Sequence, residues 1–499
     1  MTPPANLRVS AFASALLGGL LGGGPVVAQV RDAPQPGVVA FVHSAVIPMD
    51  AERVLRDQTV VVARGEIVAI GPASGVKVPA GALSVDARGR YLLPALCDMH
   101  VHLVGEAWNI MMPEGQRPAA RDLPQEDFLF PYLANGVTLV QALSATPEEL
   151  DLRGRIARAE LLGPRLVLAR MIDGPKKAWP PPISTWVASA DEARAAVREA
   201  KAAGYDKIKA YSFLDRESYD AILATAREVG MDVIGHIPMA LSPEYVLDAG
   251  QKLIAHAEEV AKHAGGDYSA GQVDRFASTL AARGVWMIPT LATSKAILDT
   301  FEHPDSAFAL PEAVYFQHPL ERAVWAFIID KLYRPVPPSA REELRDAFER
   351  FQRPLTRAIH EKGGKLLAGS DVIIPGLVPG FGLHRELAEL VRAGLTPYEA
   401  LRTSTTLPFE YLGELDRAGT IAVGKRPDLI LVGENPLEDV AGASAIAGVL
   451  VRGRWIGADE IGRRMRQVAA SGAGRPAGPA PPGEGAARLR PAPPPRPAN

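Results

Sequence analysis

The sequence predicts an α/β protein, a (β/α)8 TIM-like barrel joined to a small β-sandwich domain that is built from both flanking segments. Three observations predict it. Eight short apolar runs, beginning near Tyr91, Val137, Arg165, Asp206, Met231, Leu253, Val285 and Lys365, alternate with helical stretches, the pattern of repeated βα units around a parallel sheet. Turn-separated apolar runs precede this array and recur after it, and neither set is large enough to bury a core alone. With 499 residues, the chain is long enough for one large barrel and an accessory domain.

Residues 1–28 open with Arg8, an apolar run from Ala11 to Val27, and the small residues Val26-Val27-Ala28 at a cleavage position. This reads as a removable signal peptide that sends the mature chain to the periplasm or outside the cell. Gly18, Gly19 and Gly22-Gly23-Gly24-Pro25 interrupt the run short of a bilayer span, so no membrane contact is expected after cleavage. Cys97 is the sole cysteine, which rules out an intramolecular disulfide.

Residues 38–90 form the first part of the β domain, with Thr59 to Ala63, the Arg64-Gly65 turn and Ile67 to Pro72 as strand, turn and strand. Residues 416–458 form its second part, from the runs Gly419 to Ala422, Asp428 to Val432 and Gly448 to Gly453. The barrel occupies 91–410. Its helices are signalled by the amphipathic stretch Ala190 to Ala203 and by Asp215 and Gly230 as start and stop of the next. The segment 292–364 is too long for a simple connection and reads as a helical insertion over the barrel mouth, with 340–360 as its best helix. Residues 471–499, rich in Pro, Ala, Gly and Arg, read as a disordered tail.

Composition narrows the function classes. Hydrophobic residues make up 47% and charged residues 22%, as in ordinary globular proteins, and a net charge of −3 gives no basis for a nucleic-acid partner. The expected partner is a small-molecule substrate, with a homo-oligomer left open.

The chemistry concentrates on histidines. His100 and His102 follow an apolar run directly, and residues two apart on a strand project to one side about 6.6 Å apart, so both imidazoles can converge on one ion. At the C-terminal end of a barrel strand they would face the usual active-site mouth.

The run from Tyr91 through His102 resembles the first-strand motif of the amidohydrolase superfamily. Further matches follow in order: Lys209 in Ile208-Lys209, His236 in Gly235-His236-Ile237-Pro238, His256 in Ala255-His256-Ala257-Glu258, and Asp371 in Ala368-Gly369-Ser370-Asp371. The closing segment from Gly419-Thr420-Ile421 through Asp428-Leu429 to Asn435-Pro436-Leu437 is similar to the family's final β segment. The resemblance spans about 38 to 458 and is strongest to imidazolonepropionase-like and prolidase-like members. It implies two divalent metal ions, usually zinc: His100, His102 and Asp371 on one, His236 and His256 on the other, and Lys209 bridging them. A lysine ammonium has donors and no acceptor, so the bridge implies a carbon dioxide-derived carbamate on Lys209. Two ions roughly 3.5 to 4 Å apart can share a hydroxide and polarise a carbonyl. Asp371 is the implied catalytic base as well as a ligand.

Lys207 rivals Lys209, since residues 207, 209 and 211 share one strand face, but metals belong at the C-terminal mouth and Lys207 lies deeper. Tyr211, one step further out, is a substrate-binding or oxyanion candidate, or a residue packed at the rim. His384 in Leu383-His384-Arg385-Glu386 is a second substrate-binding candidate, or an ordinary residue at a helix start. Glu259 forms His-x-x-Glu with His256, a pair that deaminase members carry from the fifth strand, whereas here it falls on the sixth. Ala95 stands where the family usually has Gly. The resulting expectation is a metal-dependent hydrolase of C–N amide bonds acting on a dipeptide, an N-acyl amino acid or a cyclic amide. The alternatives are a mononuclear-metal deaminase, a lactone or ester hydrolase, and an exported binding protein.

Overall fold

The computed structural model describes residues 37–112, 114–119, 122–175 and 179–472. Residues 1–28, read from sequence as a signal peptide, and the residues beyond 472, read as a disordered tail, lie outside the described residues.

The first segment supplies β1 (Val38–Val46), β2 (Leu55–Ala63), β3 (Glu66–Pro72), β4 (Leu83–Asp86) and β5 (Tyr91–Pro94). Eight parallel barrel strands follow: β6 (Leu96–Val101), β7 (Val137–Ala142), β8 (Arg165–Asp173), β10 (Lys207–Ala210), β11 (Asp232–Gly235), β12 (Leu253–Ala255), β13 (Trp286–Ile288) and β14 (Lys365–Leu366). A two-residue strand, β9 (Thr185–Trp186), pairs with β8 outside this order. The chain then returns with β15 (Leu429–Val432), β16 (Ile446–Val451) and β17 (Arg454–Gly457).

Barrel strands pair sequentially from β6 to β14. Backbone bonds carry the pairing from the last strand to the first: Met99 N–H donates to the Ala368 carbonyl at 2.9 Å, Asp371 N–H to His100 at 2.7 Å and His102 N–H to Val372 at 2.6 Å. The same pairing lays the segment bearing Asp371 against the one bearing both histidines. Cys97, Met99, Val167, Ala169, Leu253, Ala255, Trp286 and Ile288 pack together inside the barrel, two residues apart along their strands as a period of two requires.

Strand β6 breaks that period at the point where it matters. Asp98 pairs with Val140 and Val101 with Ala142, so three steps on β6 match two on β7, a β-bulge. Met99 therefore packs inside, Val101 joins the cluster between strands and helices, and His100 and His102 both turn to the interior.

Strands from both ends form one eight-stranded sheet of order β17-β16-β15-β5-β1-β2-β3, with β4 on β1. Phe41, Val60 and Val62 from one end and Leu429, Leu431 and Leu450 from the other share a core, so the sheet encloses its own apolar interior. The structure corrects two boundaries here. Tyr91 to Pro94, read from sequence as the start of the first barrel strand, pairs instead with β1 and β15, and the barrel strand begins at Leu96. The run Gly419 to Ala422 is not a strand, although Ile421 is buried in the β domain and its N–H reaches the Pro48 carbonyl at 3.0 Å.

Between β13 and β14 the chain forms helices Leu291–Glu302, Pro319–Phe327, Pro338–Ala347 and Arg353–Glu361, with π-helical turns at Ile328–Tyr333 and Phe348–Gln352. The second π turn directly precedes Pro354, which has no N–H to donate to an α-helical ladder. A terminal helix, Ala458–Gly472, follows β17 and reaches into the start of the segment read from sequence as a tail. It packs on helix Gln125–Ala134 through Arg464 to Glu126 at 2.5 Å and Ser471 to Asp127 at 2.7 Å. Among the described residues no helix is long and apolar enough to cross a membrane.

Candidate metal centre

Each group at the mouth is delivered by the end of a strand. Asp371 Oδ1 lies 3.2 Å from His100 Nε2 and 3.1 Å from His102 Nε2, and its Oδ2 lies 3.8 Å from His256 Nδ1. Ligand atoms of His100, His102 and Asp371 all fall within 4.8 Å of one another, the spacing of a shared cation. The imidazole centroids continue the cluster, with His100 and His256 4.6 Å apart and His256 and His236 5.0 Å apart.

Local sequence explains the convergence. Gly235, at φ +118°, precedes His236; a Cβ there would stand 2.4 Å from the Ala210 carbonyl oxygen and 2.7 Å from Lys209 Cγ, so only glycine lets the ends of β10 and β11 come this close. His256, Thr290 and Asp371 sit at φ of +72°, +49° and +52°, a left-handed backbone that non-glycine residues rarely adopt. All three fall just past strand ends at the mouth, where such strain is usually stored for function.

Hydroxyl groups fix the ring orientations. His102 Nδ1 bonds Ser144 Oγ at 2.6 Å, His236 Nδ1 bonds Ser212 Oγ at 2.9 Å and His256 Nδ1 bonds Thr290 Oγ1 at 2.8 Å. Glu259, from helix Ala257–Ala261, reaches back to 3.2 Å from His236 Nδ1, accepts the Ile237 N–H at 3.2 Å, and pairs with Lys262 at 2.6 Å. Behind His100, the fully buried Asp98 accepts from Ser370 N–H at 2.9 Å, Ser370 Oγ at 2.6 Å and His100 N–H at 3.3 Å, which ties the first strand to the last. Sequence reasoning missed Asp98, Ser144, Ser212 and Thr290, and weighed Glu259 only as half of a deaminase pair. The one local signal was Asp98 two residues ahead of His100.

Lys209 is 1% exposed, among the least accessible lysines a fold can carry. Burial lowers its ammonium to about 8, against the pull of Asp371 and Glu259. Burial also holds His100 and His236 well below the ordinary imidazole value, assisted by the neighbouring histidines and Lys209. Neutral rings with free lone pairs are what a cation requires. Asp371 is raised by burial, but His256, His102 and Lys209 outweigh this and leave its carboxyl below the usual range.

Both ring nitrogens of His100 and Nε2 of His236 are buried with no hydrogen-bond partner among the described residues. An orphaned buried nitrogen is costly unless something absent from the polypeptide completes it. The donor set therefore fits a divalent metal: imidazoles and a carboxylate, with hydroxyls and Glu259 setting their orientation from behind.

Lys207 is placed at the opposite end of β10, where it pairs with Asp232 at 2.8 Å and lies 4.7 Å from the Tyr411 ring. Tyr211 packs against His236 with centroids 4.1 Å apart and the ring planes tilted by 33°. His384 is not brought into the cluster. Its Nε2 meets the Asn135 carbonyl at 3.0 Å, beside Gly136, whose own carbonyl pairs with Leu96 at the entrance of β6.

The amidohydrolase family matches residues 91–456, well over half of the chain. The chain belongs to the amidohydrolase family. It is a metal-dependent hydrolase acting on C–N bonds, as members of that family are. Among solved structures this amidohydrolase is similar to a Xaa-Pro dipeptidase with bound methionine, at 20% identity and a TM-score of 0.63, covering 84% of this chain and 100% of that one. It is also similar to bottromycin amidohydrolase, at 24% identity and a TM-score of 0.66, covering 88% and 91%. Molinate hydrolase aligns at 18% identity and a TM-score of 0.63, covering 85% and 95%. At these identities the likeness establishes a shared fold. No curated protein matches the chain.

Proposed function

We propose that this amidohydrolase carries a binuclear centre and cleaves the amide bond of a dipeptide, an N-acyl amino acid or a cyclic amide. The observation that carries this reading is the convergence of His100, His102, His236, His256 and Asp371 on one mouth, with buried ring nitrogens left without hydrogen-bond partners and with Lys209 Nζ 5.1 Å from the ring of Tyr211, itself packed on His236. The prolidase-type fold neighbours favour an amino-acid amide.

His100, His102 and Asp371 would hold one ion and His236 and His256 the other, with Lys209 bridging them as a carbamate. Carbon dioxide adds to an uncharged amine, and the buried setting that lowers the Lys209 ammonium favours that form. The bound ions, zinc in this proposal, would supply a water of lowered pKa and polarise the carbonyl. Asp371 takes the proton of the attacking water and passes it to the departing amine nitrogen. The Tyr211 hydroxyl accepts from Trp179 Nε1 at 3.1 Å, which leaves its own proton to donate to the carbonyl oxygen as charge builds there. Export through residues 1–28 belongs to the same proposal, and a mature chain beginning at Gln29 would support it.

The test combines metal counting with a panel of dipeptides and N-acyl amino acids. Two ions per chain are expected. Lys209→Ala should lose metal and activity together, whereas Lys207→Ala should keep its metal. Full activity with one ion, or in Lys209→Ala, refutes the binuclear reading.

A further inference from the structure

One side of the mouth is built from aromatic rings contributed by the segments that follow three of the barrel strands. Trp108 follows β6, Trp179 follows β8 and Tyr211 follows β10. The His102 and Trp108 centroids are 6.3 Å apart, and Trp108 meets Trp179 edge-on at 5.8 Å. Trp179 Nε1–H donates to the Tyr211 hydroxyl at 3.1 Å, and Tyr211 lies 4.1 Å from His236. The rings thus form an unbroken arc from His102, on one side of the centre, to His236 on the other.

The members of the arc differ in exposure. Trp108 is buried, whereas Trp179 and Tyr211 are half-buried and carry its open face. Trp179 is fixed from behind, since Trp186 Nε1 donates to its carbonyl at 2.7 Å. Its single polar side-chain atom is committed to Tyr211, so what it offers an incoming molecule is apolar ring surface. Met239, 68% exposed, follows His236-Ile237-Pro238, and its N–H bonds the Ser212 carbonyl at 2.9 Å. A thioether at that edge adds apolar surface that adapts to shape.

Trp108, Trp179, Tyr211 and Met239 carry no formal charge. An anionic group laid against them would lose water without gaining a partner, whereas a flat ring gains offset or edge contacts beyond simple area burial.

We propose that this arc is a substrate subsite for a flat apolar group, an aromatic acyl or aromatic side chain attached to the amide cleaved at the strand ends. The inference rests on the amide-hydrolysis reading and adds a substrate class to it. The test uses the full zinc-loaded chain with N-benzoylglycine and N-acetylglycine as substrates, and with benzoate as a binding probe followed by titration calorimetry. The benzoyl substrate should be preferred in kcat/KM by about tenfold or more, the scale of one well-placed ring contact. Trp179→Leu should shrink that preference, mainly through KM of the benzoyl substrate, and weaken benzoate binding, while Trp179→Phe should restore part of both. Thermal melting of each variant checks that the fold is intact.

Equal kcat/KM for the two substrates, or a preference indifferent to Trp179→Leu, overturns the subsite and leaves amide hydrolysis standing. Saturable, Trp179-dependent benzoate binding with neither amide hydrolysed supports the subsite and counts against the amide reading. Hydrolysis of neither amide, together with no benzoate binding, overturns both.

Discussion

A single methyl group at Gly369 should disturb the centre more than most larger substitutions elsewhere. A Cβ built there stands 2.6 Å from Ile288 Cγ2, 2.7 Å from His100 Cβ and 2.8 Å from His100 N. Carbon atoms ordinarily meet at about 3.5 to 4.0 Å, so the neighbours must retreat by roughly 0.8 Å. Hydrogen bonds hold them in place. The His100 carbonyl accepts Asp371 N–H at 2.7 Å, Met99 N–H is tied to Ala368 at 2.9 Å, and the Ile288 carbonyl accepts His256 N–H at 2.8 Å. The displacement therefore falls on the relation between His100 and Asp371. Overpacking of this kind costs about 1–3 kcal/mol, and metal sites tolerate only ~0.2 Å of change in ligand distance. Gly369→Ala should lose stability on that scale and bind metal at least about tenfold less tightly, the scale of losing the support behind a ligand. Denaturant unfolding and competitive chelator titration measure the two effects. Metal held at wild-type affinity, with an unchanged unfolding midpoint, would refute the claim that Gly369 sets the His100 to Asp371 approach.

Asp98→Ala strips the acceptor from Ser370 N–H, Ser370 Oγ and His100 N–H, and each buried unpaired group costs about 1–3 kcal/mol. A loss of several kcal/mol with weakened metal binding is expected in urea melts and zinc titration, and Asp98→Asn, which keeps an acceptor, should be milder; equal effects of the two would argue against a hydrogen-bonding role. A separate prediction concerns pH. Burial pushes the Glu386 carboxyl up to about 8, against the pull of the amides of Ala292 and Leu291. Between the unfolded value of about 4.3 and that value, the folded chain keeps a proton that the unfolded chain has released. Stability from this group should thus be fullest at low pH and fall as pH rises through that window, by at most about 1.4 kcal/mol per unit. Glu386→Gln should flatten the slope in melts at pH 5 through 8, and an unaltered slope would contradict the assignment.

Much of the architecture was legible because its signals are local. Eight apolar runs separated by amphipathic stretches need a parallel sheet covered by helices, and strand sets too small to bury a core must meet each other. Asp215 and Gly230 cap helix Arg216–Val229 as their chemistry requires. Errors fell where two readings share one local pattern. Tyr91 to Pro94 is as apolar as Leu96 to Val101, and hydrogen-bond partners more than 300 residues away assign it to the other sheet. Ile421 is buried as a strand residue would be, but without a ladder around it.

At the centre, the sequence alone determined residue types and their order: paired histidines after an apolar run, a lysine on alternating positions, and an aspartate after Gly369-Ser370. Tertiary structure decided which of them meet. The bulge that turns the shared face of His100 and His102 to the interior beside Met99, the carboxylate of Asp98 stitching β6 to Ser370, and the removal of His384 to the strand-entrance side all depend on pairing between distant segments. A strand's period fixes which neighbours share a face, but the phase of that period and the partner across the gap are set by the rest of the chain.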